Sequence, residues 1–129
     1  MKLLLDTHAL LWILENDSRL SEKARMAYEQ ADHVWFSMVS LWEIGIKLGL
    51  KRKDFRLEPT WSEVIPRTCT EQGVERVNVE PEHCRAVSAL PLHHRDPFDR
   101  LLVVQAQALG ARLLSCDKRL QSYDVELYW

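Results

Sequence analysis

The fold is decided by Lys2–His8, which reads KLLLDTH. Three consecutive leucines end at Asp6, and apolar residues at helical spacing begin just after it. A short apolar run that stops at a helix start is typical of a strand buried on both faces of a parallel sheet. Ligands bind outside the carboxyl ends of such strands, so the sequence predicts that Asp6 lies at the mouth of a site.

The same arrangement recurs near the other end of the chain, where the apolar strand Arg112–Cys116 is followed by Asp117. Strand and helix patterns alternate between the two, which predicts an α/β fold with a mostly parallel sheet. The further predicted strands are His33–Ser37, Arg76–Val79 and Val125–Tyr128. The predicted helices are Ala9–Glu15, Glu22–Ala31, Val39–Leu48, Trp61–Glu71, Glu82–Ala89 and Phe98–Leu109, with Pro66 expected to kink or break the fourth.

Length and composition favour one globular domain over residues 1–129. The chain is 47% hydrophobic and 28% charged, which is enough apolar material for one core. The net charge of −2 gives no general attraction for polyanions, so any nucleic-acid partner has to be held by a local patch or by metal ions. We find no membrane span, no signal-peptide pattern and no metal or disulfide spacing among the three cysteines. We therefore expect a cytoplasmic protein with reduced thiols and no membrane contact.

Four acidic residues occupy positions that need an explanation. Asp6 and Asp117 end apolar strands, Glu43 lies inside an amphipathic helix, and Asp99 opens the longest predicted helix. In this fold class the strand ends and the following helix starts share one edge of the sheet. We therefore expect the four side chains to converge there.

Each acid also has a purely structural explanation. Asp6 and Asp117 could be ordinary turn residues, and Glu43 could be an exposed helical acid paired with Lys47 four residues later. Asp99 could be stabilised by the helix dipole. These alternatives weaken if the four side chains meet, because a shared location is what the fold class predicts.

A cluster of carboxylates needs a cation. Neighbouring carboxylates repel each other, which favours their protonated forms unless a positive charge compensates. Mg²⁺ and Mn²⁺ prefer carboxylate and water oxygens as ligands. One or two such ions polarise a phosphodiester and activate a water molecule, so the expected chemistry is phosphodiester hydrolysis with no covalent enzyme intermediate and no catalytic histidine.

Four sequence blocks, in this order and spacing, resemble those of PIN-domain proteins, and more closely those of VapC-type toxins of bacterial toxin–antitoxin pairs. The blocks are LLLDTHALLW (3–12), SLWEIGIKLGL (40–50), HHRDPFDRLLVVQAQALG (93–110) and LLSCDKRL (113–120). The resemblance implies a three-layer α/β/α sandwich and a Mg²⁺- or Mn²⁺-dependent endoribonuclease that cleaves RNA. It also implies a homodimer and a small cognate antitoxin that blocks the site.

The resemblance assigns roles to individual residues. Asp6, Glu43, Asp99 and Asp117 match the family's catalytic, metal-binding acids. Asp96 is either the N-cap of the long helix or a further site residue, and we favour the cap. The hydroxyls of Thr7 and Ser115 either orient ligands or only form local turn hydrogen bonds; the sequence does not separate the two.

RNA contact is expected from a local patch, since the chain as a whole is not basic. Lys47, Lys51, Arg52 and Lys53 follow the helix that carries Glu43, and Arg100 lies beside Asp99. These cations are predicted to bind phosphates, with a solvated charged loop as an equally good alternative for the lysine-rich run.

Two other interpretations stay open at this point. One is a receiver-like signalling domain, which also binds Mg²⁺ at strand ends, although no strand here ends in the lysine that such a domain needs. The other is a PIN-fold interaction module without catalysis. Glycines form no nucleotide-binding motif, which argues against a third class.

Overall fold

The computed structural model describes residues 1–129 as parallel strands alternating with helices. The strands are β1 Lys2–Leu5, β2 His33–Ser37, β3 Glu75–Val77, β4 Arg112–Leu114 and β5 Leu127–Tyr128. The helices are α1 Thr7–Leu14, α2 Glu22–Gln30, α3 Met38–Gly49, α4 Trp61–Glu71, α5 Pro81–Ala89 and α6 Pro97–Leu109, followed by a 3₁₀ turn at Lys118–Ser122.

All five strands form one sheet in the order β3-β2-β1-β4-β5. Every pairing is parallel, so the predicted parallel sheet is confirmed and contains no antiparallel strand. β1 is central: Leu4 pairs with Trp35 of β2 on one side and with Leu113 of β4 on the other. The chain leaves β1 towards β2 and later crosses to β4, so the strand order reverses beside β1, where α/β sheets bind ligands. Receiver-like sheets have the order 2-1-3-4-5, which is not the order found here.

The leucines of β1 divide between two apolar cores because side chains alternate across a strand. Leu3 and Leu5 belong to the core on one face of the sheet, together with residues of α1, α2, α3 and α4. Leu4 belongs to the core on the other face, which is built mainly from α6 and β4. All three leucines are fully buried, and each contributes about 1.5–3 kcal/mol to stability. The expected three-layer α/β/α sandwich is therefore confirmed.

Helix ends agree with the capping residues in the sequence. The Ser21 hydroxyl accepts a hydrogen bond from the Ala24 amide at 3.0 Å, and Ser37 caps α3 in the same way through Val39 at 3.1 Å. Gly110 ends α6 with φ of +63°, a left-handed conformation in which glycine carries no steric cost.

Some predicted boundaries were wrong. Pro66 does not break α4, which runs continuously past it. The last three strands are shorter than predicted, β4 for example ending at Leu114 and not at Cys116. Strand length depends on the neighbouring strand as well as on local sequence, so sequence alone sets these ends poorly. No helix has the length and apolar character needed to cross a membrane.

Candidate metal and catalytic centre

Asp6 lies where β1 ends, on the carboxyl edge of the sheet. Its backbone amide continues the pairing with β4 by donating to the Leu114 carbonyl at 3.1 Å. Its carboxylate caps α1, because Oδ1 accepts a hydrogen bond from the Ala9 amide at 2.7 Å. The residue is only 5% exposed. The strand and the helix cap together fix this buried carboxylate.

Glu43 reaches the same edge from α3 and is also 5% exposed. Thr7 donates a hydrogen bond to Glu43 Oε1 at 2.8 Å, and the Ser40 hydroxyl lies 3.0 Å from Thr7 Oγ1. Lys47 does pair with Glu43, Nζ lying 2.7 Å from Oε2, but the acid is buried and not on an exposed helix face. Thr7 therefore couples the first turn of α1 to the Glu43 carboxylate.

Asp99 projects from the first turn of α6, with its side chain 17% exposed. Its Oδ2 lies 3.0 Å from Nε2 of His94. Nδ1 of His94 accepts a hydrogen bond from the Arg95 amide at 3.0 Å, so in the neutral ring Nε2 carries the proton and donates to Asp99. Asp96 is the N-cap of α6, accepting from the Phe98 amide at 2.9 Å, as the sequence favoured.

Asp117 follows β4 and caps the 3₁₀ turn. Arg119 binds it with two nitrogens, Nε to Oδ1 at 2.9 Å and Nη2 to Oδ2 at 2.7 Å, and these bonds lower the pKa of Asp117. His94 Nε2 lies 3.7 Å from Asp117 Oδ2. The buried Ser115 hydroxyl accepts a hydrogen bond from the Asp117 amide at 3.1 Å, and this bond holds the turn in place.

The sequence did not predict that His94 would be buried against Asp99. The histidine lies in the loop before α6, yet it is buried because Tyr123 fixes the loop from the other end of the chain. The Tyr123 hydroxyl accepts hydrogen bonds from the His93 amide at 3.1 Å and from the His94 amide at 2.9 Å. Tyr123 lies 30 residues after His93 and 29 after His94, so no local sequence pattern predicts this contact.

We call Asp6, Glu43, Asp99 and Asp117 the carboxylate cluster. The pKa of Asp6 is raised to about 6, mainly by burial and also by the charges of Glu43 and Asp117, although two hydrogen bonds act to lower it. Burial also raises the pKa of Asp99 to about 6, with the charges of Asp96, Glu43 and Asp6 adding to the effect. Contacts place these acids at one edge of the sheet: Thr7, the residue after Asp6, binds Glu43, and His94 lies beside both Asp99 and Asp117. The charge effects on the two pKa values are consistent with this placement.

Two members of the carboxylate cluster, Asp99 and Asp117, lie close enough to each other to share a hard divalent cation. Ligand atoms of His94, Asp99 and Asp117 all lie within 4.8 Å of one another. Oδ1 of Asp99 accepts no hydrogen bond, which leaves a carboxylate oxygen available to an ion. Because Nε2 of His94 carries its proton, the ring is a hydrogen-bond donor that orients Asp99 and not a ligand itself. Carboxylate oxygens favour Mg²⁺ or Mn²⁺ over softer metals.

The basic residues expected to meet RNA fall into different environments. Lys47 is bound to Glu43, while Lys51, Arg52 and Lys53 are exposed on the loop after α3. None of these three loop cations makes an ion pair.

Arg100 has a different position from the one expected. Its guanidinium donates to the carbonyls of Pro91 at 2.9 Å and Leu90 at 3.2 Å, and to the Tyr123 hydroxyl at 3.0 Å. These bonds tie the end of α5 to α6. The side chain is therefore engaged within the protein, and we assign it a structural role.

Comparisons with known proteins agree with this architecture. A family model described as PIN domain matches residues 3–126. Ribonuclease VapC22 of Mycobacterium tuberculosis is 30% identical over 122 residues, which is 93% of this chain and 90% of that protein. Among solved structures, VapBC2 of Rickettsia felis bound to a promoter DNA fragment has a chain with a TM-score of 0.69 at 12% identity, covering 100% of both chains. VapBC-1 of nontypeable Haemophilus influenzae has one with a TM-score of 0.64 at 15% identity, covering 98% of this chain and 96% of that one, so both share the fold.

Proposed function

The chain belongs to the PIN-domain family, and from this premise we propose that it is a metal-dependent endoribonuclease, the toxin of a type II toxin–antitoxin pair. Its relative VapC22 is named a ribonuclease, and the similar folds come from VapBC proteins. We propose that residues 1–129 form a single nuclease domain that works in the cytoplasm.

The observation that carries this proposal is the carboxylate cluster. Its acids come from β1, α3, α6 and the end of β4, and their charges act on one another although Asp6 and Asp117 are more than a hundred residues apart. Two of the acids, Asp6 and Asp99, have a pKa of about 6, so the metal-free cluster costs stability at neutral pH. A bound cation removes that cost, which supports a metal-binding purpose.

Mg²⁺ or Mn²⁺ bound here supplies polarisation of the scissile phosphodiester and activation of a water molecule. Asp6, Asp99, Glu43 and Asp117 supply the oxygen ligands in this proposal. Thr7 fixes the Glu43 carboxylate, Ser115 fixes the turn that carries Asp117, and His94 fixes Asp99. Asp96 acts through its cap on α6, which places Asp99.

Partners follow from the same assignment. We propose RNA as the substrate and a small cognate antitoxin as the inhibitor. Trp42, Ile46 and Leu50 follow one another at intervals of four residues along and just past α3, and all three are exposed. Exposed apolar stripes of this kind are typical of protein interfaces, which supports a homodimer.

The test is cleavage of total RNA by the purified protein in Mg²⁺, in Mn²⁺ and in EDTA, with mapping of the cut sites. We expect cleavage that needs the metal. Asp6→Asn should lose more than the roughly 10- to 100-fold that residues behind metal ligands contribute. Asp32→Asn removes the same charge from the opposite, exposed end of the sheet and should leave cleavage unchanged.

Cleavage that persists in EDTA and in Asp6→Asn would remove the nuclease assignment. Metal binding without cleavage of any RNA would favour a non-catalytic interaction module. Both protein variants should have wild-type circular dichroism spectra, so that loss of activity is not loss of fold.

A further inference from the structure

A cleft lies beside the carboxylate cluster, between α1 and the loop that follows α3. Its volume is about 260 Å³. Five of the side chains that line it can carry positive charge, two others, Glu15 and Asp54, are acidic, and Trp12 forms part of its wall. We call it the basic cleft; its cationic residues are His8, Arg19, Lys47, Arg52 and Arg56.

The basic cleft opens next to the carboxylate cluster. Lys47 connects the two, since it lines the cleft and binds Glu43 Oε2 at 2.7 Å. His8 lies two residues after Asp6 on the first turn of α1. A strand of RNA whose phosphate reaches the acids would therefore place a neighbouring nucleotide in the cleft.

Two cations in the basic cleft are uncommitted. Arg19 is bound by Asp17 at 2.8 Å and lies over the Trp12 ring at 5.0 Å, and Lys47 is bound by Glu43. Arg52 and Arg56 make no ion pair and no side-chain hydrogen bond. A free guanidinium binds phosphate with two parallel hydrogen bonds, so these two side chains are suited to an RNA backbone.

The same cleft offers an aromatic surface. His8 is exposed, and its ring lies 5.4 Å from that of the half-buried Trp12 with an interplanar angle of 33°. Bases of single-stranded RNA stack on aromatic and histidine rings, and such stacking is worth about 1–3 kcal/mol per base. The volume is just below the range of about 300–1,000 Å³ of small-ligand pockets, which suits one nucleotide and not a duplex.

We propose that the basic cleft is a subsite for one nucleotide of single-stranded RNA next to the scissile phosphate, with Arg52 and Arg56 on the phosphate and His8 against the base. This proposal rests on the proposed ribonuclease function. It also separates the cations of the loop that follows α3. Lys51 and Lys53 flank Arg52 in sequence but do not line the cleft.

That division supplies a matched control. The double variant Arg52→Gln, Arg56→Gln and the double variant Lys51→Gln, Lys53→Gln remove the same charge from the same loop. Binding of a labelled single-stranded RNA oligonucleotide is measured by fluorescence anisotropy in EDTA, which separates binding from cleavage, and is repeated over a range of salt concentrations.

We expect the arginine variant to raise the Kd about tenfold or more, and the lysine variant to raise it no more than about threefold. The slope of log Kd against log salt should fall by about 0.7 for each phosphate group that the variant no longer binds. His8→Ala should weaken binding roughly fivefold or more, and His8→Phe should restore it if the ring stacks on a base.

If the two double variants weaken RNA binding equally, the proposed subsite is wrong, even if the protein cleaves RNA. Binding of duplex RNA as tight as that of the single strand would overturn it as well. If the protein cleaves no RNA but shows the arginine-specific loss of binding, the subsite stands and the nuclease assignment fails. Equal thermal midpoints for all the variants confirm that each one is folded.

Discussion

The two ends of the sheet treat negative charge in opposite ways. At the amino end, Asp32 pairs with the N-terminal ammonium, Glu75 with His33 at 2.6 Å, and Glu126 with Arg112 at 2.8 Å, and all three acids are exposed. At the carboxyl end two of the acids, Asp6 and Glu43, are buried and two, Asp99 and Asp117, are partly buried, and the four outnumber the cations that reach them. Asp6 there has no cationic partner at all within ion-pairing distance.

The two ends therefore differ in what their charges cost the folded state. Exposed ion pairs are nearly neutral for folding, contributing about 0–1 kcal/mol each. Buried, crowded carboxylates are unfavourable, which the raised pKa of Asp6 and of Asp99 records. A fold that keeps such a cluster gains function from it, and the proposed metal is what would offset the cost.

The sharpest test of this comparison is the pH dependence of stability without metal. Asp6 and Asp99 have a folded pKa of about 6 against an ordinary value of 3.8, so the native state binds more protons than the unfolded state between these values. Stability should therefore rise as the pH falls through 6. Lowering the pH from 7.5 to 5 in EDTA should raise the free energy of unfolding by about 2–3 kcal/mol in total, measured by urea denaturation.

Two other groups with shifted pKa values, Asp117 and His8, do not imitate this result. Asp117 has a lowered pKa, so its contribution is lost only below its ordinary value of 3.8 and stays constant in this window. His8 has a lowered pKa and acts in the opposite sense as the pH falls below 6.5. Asp6→Asn keeps His8 and should lose about half of the pH effect, and saturating Mn²⁺ should suppress most of it. A stability that falls from pH 7.5 to 5 in EDTA would contradict the comparison.

A second test uses the fact that each end of the sheet has one histidine within ion-pairing distance of an acid. His94 is buried against Asp99, while His33 is exposed against Glu75. Since His94 orients a proposed metal ligand, His94→Ala should weaken Mn²⁺ binding about tenfold or more, measured by calorimetric titration without RNA. His94→Gln retains a donor and should recover part of the affinity.

The control for this test is His33→Gln at the other end of the sheet. That change should leave Mn²⁺ affinity unchanged, because the His33 pair lies far from the carboxylate cluster along the strands. Equal Mn²⁺ affinity in His94→Ala and the wild-type protein would show that His94 has no positioning role. Denaturation curves of the histidine variants separate a local effect from unfolding.

The contrast also explains what the sequence could predict. The apolar run that defines β1 and the cap residues such as Ser21 are local signals, so the α/β class and most element positions follow from them. The convergence of the acids follows from the fold class, because parallel strands end at one edge.

What the sequence did not predict depends on long-range interactions. His94 reads as one of two adjacent loop histidines, and only the Tyr123 hydroxyl makes it a buried site residue. From the sequence Arg100 was predicted to bind phosphate. The structure shows that its guanidinium is already hydrogen-bonded to backbone carbonyls within the protein. The basic cleft separates Arg52 from Lys53 although they are neighbours in sequence, because the cleft is formed by α1 and a distant loop.

The smallest expected effect lies in the ion pairs of the amino end. Glu126→Gln removes one partner of the Arg112 pair, in which the Arg112 and Glu126 side chains are both exposed. We expect a loss of about 0.2–1 kcal/mol in the free energy of unfolding at low salt, shrinking as salt screens the pair, and no change in Mn²⁺ affinity. Urea denaturation at two salt concentrations measures it. A loss of several kcal/mol would mean that this ion pair stabilises the fold far more than an exposed pair should. The contrast between the two ends of the sheet would then no longer hold.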